Sequence, residues 1–196
     1  MLSGALSGNI LEAVGSLFDA HFVGELRRPH DLNAGGSVID GFEVAAAAPA
    51  GADSVRLRPA GGGRLTGSLP AGIAVAIEGA AYAAAAPATA TGVEIDVEVS
   101  EALAEPVAAG AAVEMGDYAI YALEGAVLGP VKERTLPEEL RGVASATLAT
   151  PVRDNAVLPE RDDILFEAKR GRTYRVISVP LEGAGISECH LSTGGA

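Results

Sequence analysis

The chain has 196 residues, 14 basic against 26 acidic side chains, and a formal net charge of −12. That sign is wrong for a freestanding nucleic-acid binder, and a charged fraction of only 20% beside abundant valine, leucine and isoleucine excludes a disordered chain. No apolar run approaches the roughly 20 residues of a membrane helix, no basic segment precedes the first apolar stretch as in a signal peptide, and the single cysteine, Cys189, forms no internal disulfide and suits a reducing compartment.

In chain order, residues 7–18 predict a helix. Ile10, Leu11, Val14, Leu17 and Phe18 form one apolar stripe, Ser7 or Asn9 can cap it, and Glu12 suits its positive end. Gly8 and Gly15 each weaken it by about 1 kcal/mol, so it needs something to pack on. After about Val38 the chain reads as β. Strands are expected at 37–44, at 73–77 ahead of a tight Glu78-Gly79 turn, and at 93–99, where Val93, Ile95, Val97 and Val99 alternate with acids. Residues 118–123 and 126–128 around Glu124-Gly125 predict a hairpin, and 164–167, 173–179 and 186–191 predict three more strands joined by turns.

Turn-rich junctions at 49–53 and 136–142 flank a block with its own rhythm. The expected fold is therefore mainly β: a small barrel or sandwich core with an N-terminal α-helix, residues 1–50 and 137–196, and a second small β-domain, 51–136, inserted in a loop of the first. There is no tryptophan and there are four Phe and four Tyr, while alanine runs through 45–48 and 83–86. Alanine removes little area from water, so a thin core that leans on neighbouring subunits is expected.

No motif assembles a nucleophile, a base and an orienting group, and no cofactor is expected. His21, His30 and His190 have no metal-ligand spacing. Cys189 and His190 are neighbours on one strand and point to opposite faces. Gly61-Gly62-Gly63-Arg64 lacks the Lys-Ser/Thr ending of a phosphate loop. The basic islands are more informative. Arg27 and Arg28 follow the helix, and Lys169, Arg170 and Arg172 sit on a C-terminal turn; against the acidic background they are the candidate subunit-interface or channel-facing residues.

Read together without the middle block, the two ends resemble the head–tail joining (stopper, head-completion) proteins of lambda-like tailed phages. The likeness rests on the helix ending Leu17-Phe18-Asp19-Ala20, on 36–44, on Ala146-Thr147-Leu148-Ala149-Thr150 as a strand before a short linker, on Thr173-Tyr174-Arg175-Val176 through Val179, and on Cys189-His190-Leu191. Arg161-Asp162-Asp163-Ile164-Leu165 stands where the family has a Gly-Asp-x-Leu/Ile turn, and departs from it in reading Arg161-Asp162-Asp163 at the Gly-Asp. The resemblance implies a virion protein of the phage neck, forming a ring, hexameric, between the portal–adaptor ring and the tail terminator. Packaged DNA would pass the acidic lumen without sequence-specific binding, and 24–36 would be a flexible arginine-bearing loop that orders on docking. A tail terminator is the nearest alternative. A carbohydrate- or host-surface-binding sandwich is the alternative from another class, and the scarcity of aromatics (Tyr82, Tyr118, Tyr121, Tyr174) argues against it.

Overall fold

The computed structural model describes residues 22–35, 39–131, 134, 136–183 and 185–193. The predicted helix at 7–18 lies outside them. The described chain is mainly antiparallel β. In order it contains β1 (Gly24–Pro29), β2 (Phe42–Val44), β3 (Ser54–Pro59), β4 (Ser68–Leu69) and β5 (Ile73–Ile77). Then come β6 (Ala80–Ala83), β7 (Ala88–Thr89), β8 (Ile95–Glu98), β9 (Ala112–Ala122) and β10 (Val127–Gly129). A 3-10 turn at Glu138–Leu140 precedes β11 (Ala146–Pro151), β12 (Ile164–Glu167), β13 (Arg172–Gly183) and β14 (Ile186–Ser192). Among the described residues no helix is long and apolar enough to cross a membrane.

The chain divides into two compact units: residues up to Arg27 together with those from Tyr121 onward, and the intervening Arg28–Ile120. The division falls at 27/28 and 120/121, whereas the turn-rich junctions of the sequence place it at 50/51 and 136/137. Two strands account for the difference. β2 pairs with β3 and β9, so both the segment before position 50 and most of β9 are built into the second unit.

In the first unit the strand order is β10-β11-β14-β13-β12-β1. One face of this sheet gathers Leu26, Leu148, Leu165, Tyr174, Val176, Cys189 and Leu191, with Phe22, Leu123 and Ala126 packed among them. β1 is a correction to the sequence reading, which makes 24–36 a loop. Its register runs from Gly24 opposite Glu167 to Arg27 opposite Ile164. Gly24 is required there: an added Cβ would lie 1.8 Å from the Phe166 carbonyl oxygen. The expected hairpin across Glu124-Gly125 does not form, because β10 pairs with β11 instead. The Asn155 side chain takes both backbone groups of Glu124, accepting from its N–H at 2.8 Å and donating to its carbonyl at 2.9 Å, and turns the chain as a corner.

The second unit runs β6-β5-β9-β2-β3-β8, with β4 and β7 as a separate pair. Strict alternation builds it. β3 and β8 turn Val55, Leu57, Ile95 and Val97 inward while Arg56 and Asp96 meet outside at 2.8 Å, and Arg58 pairs with Glu43 at 2.6 Å on the neighbouring strand. The Glu78-Gly79 turn carries positive φ at both positions (50° and 86°), the two-residue hairpin geometry that matches strand twist.

Neither unit's ladders close into a barrel, contrary to one form of the expected fold. In the second unit, among the described residues, the far ends of β6 and β8 meet at the isolated Ala84–Val99 bridge and at a bond from Ala83 N–H to the Ser100 hydroxyl. In the first, one backbone bond from Phe22 N–H to Ala126 carbonyl (2.8 Å) stands where a closing ladder would be. The expected alanine-thin core is also absent. Leucine, isoleucine and valine fill the interior, and Ala46, Ala47 and Ala85 are exposed.

Candidate functional site

Three of the five candidate basic residues come together in the turn between β12 and β13. Register pairs Glu167 with Arg172, leaving a four-residue loop, Ala168 to Gly171, in which Gly171 takes φ +60°. Glu167 has the same strand parity as Leu165, so its carboxylate points to the core face, where it is 2% exposed. Burial of a charge is tolerable only with partners. Arg170 Nη1 donates to it at 2.8 Å, and the buried Tyr174 hydroxyl lies 3.3 Å from its other oxygen. Arg170 therefore anchors the turn, and Lys169 and Arg172 stand exposed beside it. Arg172 forms no ion pair among the described residues.

The other two candidates lie elsewhere. Arg27 sits three residues along β1 from the end that faces Glu167, about 10 Å away at strand rise. It pairs with Glu25 at 3.0 Å and stacks over the Phe166 ring at 4.9 Å. Arg28, the next residue, falls in the second unit. Within the first unit, Arg27 stands apart from the three on the turn.

The loop before β12 holds two adjacent aspartates, Asp162 and Asp163. Asp162 adopts φ +74°, a left-handed conformation that glycine takes without strain, and its carboxylate accepts from Arg175 at 2.8 Å. Asp163 is 2% exposed and accepts from the Glu160 backbone N–H at 2.8 Å. Backbone bonds between Asp162 N–H and Val176 carbonyl (2.9 Å), and between Val176 N–H and Asp163 carbonyl (2.8 Å), fix the turn against β13.

A cleft of about 720 Å³ in the second unit is absent from the sequence reading. His30, Asp40, Phe42, Glu114, Met115 and Asp117 are among its lining residues. Glu114 and Asp117 are three apart on β9, which in a regular strand would send them to opposite faces. Between Met115 and Ala119, β9 spends four residues where β5 spends two, from Val75 to Ile73. This bulge, at which a Cβ added to Gly116 would lie 3.4 Å from the Ala74 methyl, lets both acids line the cleft. The charge is concentrated as well. Residues 28–120 hold twelve acidic and four basic side chains, a net −8 of the total −12. His30 Nδ1 is closed off from solvent and has no hydrogen-bond partner among the described residues.

Other polar groups are isolated. Cys189 is buried, and burial pushes its thiol up to about 12, away from reactivity. Its neighbour His190 is 7% exposed, and its Nδ1 lacks a hydrogen-bond partner among the described residues. His21 lies outside the described residues. Among the described residues no group of three or more His, Cys, Asp or Glu is placed to hold a metal ion. Comparisons with protein families, curated proteins and solved structures find no match to this chain.

Proposed function

We propose that the chain is a structural protein of a tailed-phage neck, a head–tail joining subunit that forms a ring, hexameric, closing the portal–adaptor channel after packaging and docking the tail. The observation that carries this reading is β1 paired with β12. The chain before the inserted unit and the chain after it meet in one sheet and one core through β1 and β12, while β2, from the 36–44 stretch of the likeness, is built into the inserted unit. The turn at 162–163 is compatible with this reading: within the segment that stands at the family's Gly-Asp turn, Asp162 takes a left-handed backbone conformation suited to glycine, and Asp163 is buried and hydrogen-bonded. An acidic lumen would repel phosphate and let DNA slide.

Light scattering and negative-stain imaging of the purified full chain test the proposal. Rings are expected, with mass rising with concentration to a fixed multiple. A chain that stays monomeric at its highest soluble concentration would overturn it. Phage lacking the protein should accumulate tailless heads that have lost DNA; tails of irregular length would point instead to a tail terminator.

A further inference from the structure

We infer that the basic hairpin tip of one copy docks in the acidic cleft of a second copy, joining subunits head to tail. This inference rests on the ring reading above and names the contact that would build it. The two surfaces belong to different parts of the chain, so their contact is heterologous, the kind that propagates into a closed ring or an open filament.

Charge complementarity selects the occupant. Asp40, Glu114 and Asp117 are exposed around the cleft, within a unit of net charge −8. The hairpin carries Lys169, Arg170 and Arg172 against one acid, Glu167, whose charge is buried and met by Arg170. In the inserted unit, Arg56 and Arg58 are engaged by Asp96 and Glu43, so they do not neutralise the cleft.

Shape agrees with charge. At about 720 Å³ the hollow lies within the roughly 300–1,000 Å³ range of ligand sites, room for the side chains of a tight turn. Phe42 and Met115 offer apolar lining for arginine and lysine stems, while planar guanidinium groups suit the carboxylates at the rim. The tip also arrives ordered. The Glu167–Arg170–Tyr174 contacts fix the turn, so little conformational freedom is lost on docking.

The test uses the full-length chain with three variants: Arg172→Glu, Asp117→Arg, and both together. The two positions are exposed, and circular dichroism checks that each variant folds. Each single reversal should weaken self-association by about tenfold or more, and the double swap should recover most of it. If wild type forms rings but neither single variant weakens them, or if the double swap is no better than the singles, this contact is wrong and the ring reading stands. If wild type never associates, the ring reading itself falls and takes the contact with it.

Discussion

Asp162 and Asp163 are adjacent acids with different physical roles. Asp162 holds a left-handed backbone angle at a cost of about 1 kcal/mol, and its exposed pair with Arg175 returns little. Asp162→Gly should therefore be neutral to stabilising by up to about 1 kcal/mol in denaturant unfolding. Asp163→Ala removes the buried carboxylate that accepts from the Glu160 N–H and should cost about 1–3 kcal/mol. The reverse ranking would contradict the assigned roles. Cys189 makes a pH prediction. Its thiol is raised in the folded state from 9.0 to about 12, so the stability it contributes is complete below pH 9 and is lost as pH climbs toward 12. The difference in unfolding free energy between wild type and Cys189→Ala should therefore narrow across that window. The folded protein should also resist thiol reagents at neutral pH.

At the scale of elements, β1 and the β12–β13 hairpin make the first sheet what it is. Gly24→Ala would drive a methyl group into the Phe166 carbonyl, and it should destabilise by at least about 3 kcal/mol through loss of strand pairing, read as early exchange of the β1 and β12 amides. Tyr174→Phe removes a long hydrogen bond to Glu167 and should cost about 1 kcal/mol. The sequence made β12, β13 and β14 legible because each is a short run rich in branched or aromatic residues and the turns between them carry their own local signals. β1 was hidden because Leu26 alone among its residues is buried, and its place depends on a partner about 140 residues away. Glu124-Gly125 carried a true turn signal, but no local pattern records that Asn155 would hold it as a corner and that β11 would claim β10. The cleft acids were illegible for a similar reason: only the β9 bulge puts residues at odd spacing on one side.

For the whole molecule, composition misled where connectivity did not. Alanine abundance pointed to a weak interior, yet both units bury branched aliphatic residues, and alanine is spent largely on surfaces and turns. Each unit has its own interior, so unfolding should depart from a single cooperative step. Calorimetric enthalpy should exceed the van't Hoff value, and equality of the two would mean that the units melt as one. The uneven charge is likewise a property of the whole, since ten of the fourteen basic side chains belong to the unit formed by the chain's two ends.

The buried anchor beneath the hairpin has a kinetic corollary. A tip already held by Glu167 and Tyr174 has no slow ordering step before encounter, so partner capture would be limited by long-range steering of opposite charges. Raising ionic strength should then slow association steeply and leave dissociation, governed by short-range fit, nearly unchanged.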